Sequence, residues 1–187
     1  HVPNRTPAQW KYQRNQLVLD LTRKEVCDKI IEMVSNILSS TPISYVKWDM
    51  NRSLTDIGSA VLPSKNQRET VHRYVLGLYY ILEEVTSKFP NILFESCSSG
   101  GGRFDPGMLY YMPQTWASDD SDAVERLKIQ YGTTMAYPPV SIGAHVSASP
   151  NHQIGREAGF DIRGNVAMGG TFGYELDLTK LTEEEKE

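Results

Sequence analysis

The chain has 187 residues, enough for one domain with a sizeable core, and 40% hydrophobic with 22% charged content marks an ordinary folded protein rather than a disordered tail. A net charge of −4 without any basic tract disfavours a nucleic acid or other polyanion as partner. No apolar run approaches the roughly 20 residues of a membrane-spanning helix, and Cys27 and Cys97 have neither metal-binding spacing nor a disulfide framework, which fits a reducing, cytoplasmic setting.

Residues 1–16 are polar and aperiodic and read as a loop, with Arg14 near its end. No apolar segment of a signal peptide follows His1, and a start without methionine permits processing, trimming or a fragment. Val26, Ile30, Val34 and Ile37 repeat every three or four residues and predict a helix over 24–40, stopped by Thr41-Pro42. Residues 43–49 read as a strand ending on a carboxylate, and 50–66 as a polar loop. A second helix is expected from about 68 to 87, then a short strand over 92–95 and a glycine-rich loop over 96–107. Residues 109–112 read as a strand or structured turn. Residues 122–131 read as a helix capped by Ser121 or Asp122 with Glu125. Residues 140–146 and 165–168 are the last strand candidates, and 178–187 open another helix.

Strand alternating with helix argues for parallel α/β architecture. Asp49, Cys97 with its glycines, Asp119 and His145 fall at or just beyond the carboxyl ends of strand candidates. That is where a (β/α)8 barrel carries its active face, and where an open sheet also binds ligands.

Three clusters can carry chemistry. In a strand, Lys47 and Asp49 point to the same side, and a neighbouring ammonium favours an ionised carboxylate suited to nucleophilic attack or to accepting a substrate hydroxyl. The plainer reading has Asp49 close the strand end or pair with a basic neighbour. Gly100, Gly101 and Gly102 let a polar ligand approach the backbone, but no nucleotide-loop pattern surrounds them. Arg103 and Asp105 are expected to pair and hold that loop, and Cys97 reads as a small buried wall residue rather than a nucleophile. In Trp116-Ala117-Ser118-Asp119-Asp120-Ser121-Asp122, crowded carboxylates and an aromatic wall suit an acid that keeps its proton near neutrality. The alternative is a row of helix-start aspartates; it explains Asp122 well and Asp119 poorly. Trp116 is either a sugar platform or packing. His145 and His152 lie seven apart outside any metal-binding helix pattern, so no metal is expected.

Taken together, Lys47-Trp48-Asp49-Met50-Asn51-Arg52, the run from Cys97 to Asp105, and Trp116-Ala117-Ser118-Asp119 resemble the signature blocks of glycoside hydrolase family 36, the bacterial-type α-galactosidases. Residues 14–21, 143–147 and 173–178 extend the resemblance over essentially the whole chain. It implies a (β/α)8 catalytic barrel that releases terminal α-galactosyl units from melibiose- or raffinose-type sugars with retention, without metal or organic cofactor. By the same resemblance Asp49 is the nucleophile and Asp119 the acid/base, Arg14 and Lys47 contact galactose hydroxyls, and Cys97 and Gly100 line the sugar site; Trp116 joins them as a substrate-binding candidate from its own place in the sequence. The family's earlier barrel strands, with a pair of aspartates and a tryptophan that grip galactose, are expected ahead of His1. Residues 1–187 then form a partial catalytic barrel of the later five strand–helix units, partnered by the rest of a parent chain and possibly a homo-oligomer. A galactosyltransferase that makes raffinose- or stachyose-type sugars, and a silent galactoside-binding barrel, are the competing expectations.

Overall fold

The computed structural model describes residues 16–55 and 57–186, so Arg14 lies outside the described residues. The chain divides into two compact units, residues 1–46 with 50–93, and residues 47–49 with 94–187.

In the first unit, helix α1 (Lys24–Ser40) packs against helix α2 (Thr70–Lys88). The face of α2 is read directly from its spacing: Tyr74, Leu78, Ile81, Leu82 and Val85 are all buried. On α1 the buried line is Cys27, Ser35 and Leu38, while Ile37 is 59% exposed. The sequence pattern therefore named the correct helix but set its inner face one residue off, since Leu38 and not Ile37 completes the stripe. Pro42 and Pro90 follow the two helix ends closely, and Thr41 before Pro42 is extended, as a residue ahead of proline tends to be. The segment ahead of α1 is tied to the loop after residue 50. Asp20 accepts from Thr22 Oγ1 at 2.6 Å and from Ser59 Oγ at 2.6 Å, and the Gln67 amide clasps the Ser59 backbone at both its N–H and its carbonyl.

The second unit is strand alternating with helix. Strand β1 (Tyr45–Asp49) contributes its last three residues here. Strand β2 (Leu93–Cys97) lies between β1 and strand β3 (Gln114–Thr115), with Glu95 opposite Gln114 in parallel register. Strand β4 (Gly143–Ser147) pairs in parallel with strand β5 (Thr171–Glu175), His145 opposite Gly173, and an isolated parallel bridge joins Thr115 to Ile142. Three helices fill the connections: α3 (Pro106–Tyr111), α4 (Ala123–Thr134) and α5 (Phe160–Ala167). A one-turn helix α6 (Glu183–Lys186) follows β5. From Phe94 to Cys97 strand β2 is buried on both faces, as parallel strands covered by helices are. Ile142, Ala144 and Val146 continue that core.

Two local expectations fail for identifiable reasons. The segment 109–112 belongs to α3, because Asp105 accepts the Met108 N–H at 2.8 Å as N-cap and Pro106 is pre-organised for the first turn. Residues 165–168 close helix α5 and its C-terminal cap, and the strand starts three residues after Met168, at Thr171. A three-residue apolar run cannot distinguish the two, and Gly173 breaks the alternation that marks β5. Asp122 caps α4 as expected, accepting from Val124 N and Glu125 N, and also binds Arg156 at 2.6 Å.

Candidate active site

All the described candidate residues fall in the second unit. Asp49 ends β1 and is exposed; Asp119 lies four residues beyond β3 and is exposed as well. Between them in chain order stands β2, whose Glu95 and Cys97 share one side, as Lys47 and Asp49 do on β1. The two strands meet rung by rung. Lys47 Nζ is 3.3 Å from Glu95 Oε1, and the Cys97 thiol donates to Asp49. Glu95 is fully buried, and its other oxygen accepts from Gln114 Nε2 at 2.8 Å.

Cys97 is buried, 4% exposed. Burial pushes its thiol up to about 11, helped by its hydrogen bond to Asp49 and opposed by the Gly100 backbone. Cys27 is also shifted upward by burial. Near pH 8 both are therefore thiols rather than the reactive thiolate. Iodoacetamide should leave Cys27 and Cys97 unmodified in the native protein and label both after denaturation, as read by peptide mass mapping. Rapid native labelling of Cys97 would contradict this assignment.

The glycine-rich loop turns on Ser99, at φ 53°, and Gly100, at φ 79°, both left-handed. A Cβ on Gly100 would stand 2.6 Å from Ser118 Cα and 3.0 Å from Asp119 N, and Gly101 N–H donates to Ala117 O at 3.0 Å. Gly100 and Gly101 thus admit the chain carrying Asp119. That chain is fastened further along. Gln153 Nε2 donates to Asp119 O at 3.0 Å, and Ser121 N donates to Gln153 Oε1 at 3.0 Å. Asn151 Nδ2 reaches Ser121 Oγ at 3.2 Å.

Trp116 is 3% exposed, which favours packing over a sugar platform. Lys47 Nζ lies 4.5 Å from its ring centroid, the Arg126 guanidinium carbon 4.0 Å, and the His145 ring stacks on it at 4.7 Å and 25°. A Cβ on Gly173 would fall 2.8 Å from the His145 ring, so the neighbouring strand keeps a glycine where the stack needs room. His145 Nδ1 is 3.8 Å from Glu175 Oε2. It holds that carboxyl below the usual carboxylate range, with Lys47 and Arg126 acting in the same direction.

Glu95, Arg126 and Glu175 were missed in the sequence. Glu95 had a usable signal, since it stands two residues before Cys97 on one strand. A buried arginine on an amphipathic helix has none. Among the described residues no group of three or more His, Cys, Asp or Glu side chains is arranged to hold a metal ion.

This geometry can be set beside known proteins. The Melibiase family model matches residues 1–187, the whole chain. The chain belongs to the Melibiase family. This family member is 67% identical to α-galactosidase AgaA of Geobacillus stearothermophilus and 57% identical to α-galactosidase Mel36A of Lactobacillus acidophilus, covering all of itself and 25% of each relative. It therefore spans about a quarter of the curated relatives it matches. Crystal structures of GH36 AgaA superpose with TM-score 0.95 at 67% identity, covering 26% of that chain; one holds raffinose and another stachyose. An α-galactosidase structure from Lactobacillus brevis gives 0.94 at 51% identity, over 99% of this chain and 24% of that one. The Melibiase chain is thus an α/β fold of the GH36 type.

Proposed function

We propose that this chain is part of the catalytic barrel of a retaining α-galactosidase, acting on raffinose-type sugars within a full-length protein. The observation that carries the reading is the pair of exposed carboxylates. Asp49 ends β1 and Asp119 lies four residues beyond β3 in the same unit, and the end of β2 touches both: the Cys97 thiol donates to Asp49, and Gly100 passes close to Asp119. The AgaA complexes add support. One carries an aspartate-to-asparagine change and holds raffinose, and the other an aspartate-to-alanine change and holds stachyose. Those two aspartates are as far apart in that chain as Asp49 and Asp119 are in this one.

In the proposed reaction the ionised Asp49 carboxylate attacks the anomeric carbon while the glycosidic C–O bond breaks. Asp119 gives its proton to the departing oxygen. In the second half Asp119 takes a proton from water, the water oxygen bonds to the anomeric carbon, and Asp49 is released. Two inversions restore the α configuration. Lys47, held by Glu95, supplies positive charge beside Asp49 and reaches toward galactose hydroxyls; Arg14, Cys97 and Gly100 complete the sugar wall by family resemblance. Five strands in chain order, with parallel pairings and helical crossovers, support the later five units of a (β/α)8 barrel. No metal or organic cofactor takes part in this scheme, and the free thiols of Cys27 and Cys97 support a cytoplasmic setting.

The full-length protein, given melibiose or raffinose and followed by NMR, should release α-galactose before mutarotation mixes the anomers. First release of β-galactose would overturn retention. Galactose transferred to an added acceptor sugar in preference to water would favour the galactosyltransferase. Galactose binding without turnover of an activated aryl α-galactoside would favour the silent barrel.

A further inference from the structure

Arg126 belongs to helix α4 and is 2% exposed, an unusual place for a permanent charge. Burying a cation carries a large desolvation cost unless close partners offset it. A guanidinium has five N–H donors. Here Nη2 donates to the Gly143 carbonyl at 3.3 Å, and Nη1 has no hydrogen-bond partner among the described residues. Hydrogen bonding alone is a thin reason for an arginine at this position. Its principal contact is the face of Trp116, with the guanidinium carbon 4.0 Å from the ring centroid, where cation and π-system attract most strongly out of water.

The ring it covers is the one that also meets Lys47 and His145. A Cβ on Gly143 would come within 3.3 Å of Trp116 Cε3, so the ring is confined from the β4 side as well. Trp116 is consequently a hub. Among the described residues Glu95 and the Trp116 ring both meet the Lys47 ammonium, and Lys47 is two residues from Asp49 on the same strand face.

We propose that Arg126 is a positioning residue of the galactoside site: its guanidinium sets the plane of Trp116, and Trp116 in turn sets the Lys47 ammonium beside the nucleophile. This rests on the assignment of Lys47 and Asp49 made above. The charge of Arg126 serves the same end. Burial works against it, while the carboxylates of Glu175, Asp120, Glu95 and Asp119 hold it in place. A neutral side chain of similar length would fill the space without gripping the ring.

A double-mutant cycle in the full-length protein separates positioning from mere structure. The readouts are kcat and KM on an activated aryl α-galactoside and galactose affinity by calorimetry. Arg126→Met should lower kcat/KM by about 10-fold or more, while costing less than about 2-fold once Lys47 is already Met, because the two then act through one path. Arg126→Lys, which keeps the charge without the planar face, should recover part of the loss. Near-UV circular dichroism should show the Trp116 band, identified with Trp116→Phe, altered in Arg126→Met. Equal losses from Arg126→Met with and without Lys47 would overturn the proposal. Should Arg126→Met fail to fold, the same cycle run with Arg126→Lys decides it by the same criterion. A wild-type protein that binds galactose without turnover sinks the enzymatic reading instead, and the cycle is then read on affinity, where independence of the two positions again overturns the role of Arg126.

Discussion

Asp49→Ala in the full-length protein should abolish the covalent galactosyl-enzyme for every substrate, and azide entering the vacated space should yield β-galactosyl azide. Asp119→Ala should behave differently. A poor leaving group needs the proton, so hydrolysis of melibiose should fall by about 10²–10⁴. An activated aryl galactoside scarcely needs it, so the intermediate should form and then stall for want of a base. Azide requires no base, attacks opposite Asp49 and should release α-galactosyl azide. The contrast follows from what each carboxylate must do: one bonds to carbon, the other only moves a proton. Product stereochemistry is the measurement. Alpha azide from Asp49→Ala with beta azide from Asp119→Ala would reverse the two roles.

The second large effect is expected from a methyl group. Gly100→Ala forces a left-handed backbone on an L-residue, at about 1–2 kcal/mol. It also drives a Cβ to 2.6 Å from Ser118 Cα. The atoms it meets are backbone, so relief requires the Ser118–Asp119 segment to move. A displacement of about 1 Å in a catalytic group costs on the order of 100-fold. The loss should therefore resemble that of Asp119→Ala: severe on melibiose from the first step, while an activated aryl galactoside still releases its leaving group in a first burst before turnover slows. Equal, small losses on both substrates would show that the loop yields without disturbing the acid.

Much of this was legible in the sequence because period and punctuation agree with the fold. The extent of α2, the Asp122 cap and the carboxylates at or beyond strand ends all rest on local rules that tertiary structure did not override. The failures were also local in cause. Residues 109–112 and 165–168 are short apolar runs whose helix or strand identity depends on neighbours. Ile37 and Leu38 are adjacent apolar residues, and only packing decides which one faces inward. At the site, single blocks singled out Asp49 and Asp119 as candidates, yet the Lys47–Glu95 pair and the Arg126–Trp116 stack join residues far apart in the chain. Such contacts leave no mark in spacing. The triple glycine shows a different limit: its permissiveness was plain, but whether ligand or backbone uses the space is a fact of three dimensions.

The Gln153 side chain grips Asp119 by its carbonyl and Ser121 by its N–H, from a loop that itself closes through Asn151 N–H to the Arg156 carbonyl. Evolution working on that loop is therefore not free to lengthen or shorten it as a surface connection ordinarily allows. An insertion that shifts Gln153 lets go of the segment proposed to deliver the proton, although no residue proposed to touch the sugar has moved. New specificities built from this stretch should arise by exchanging side chains at fixed loop length, and lineages that changed its length should show a compensating fastener for Asp119 drawn from elsewhere.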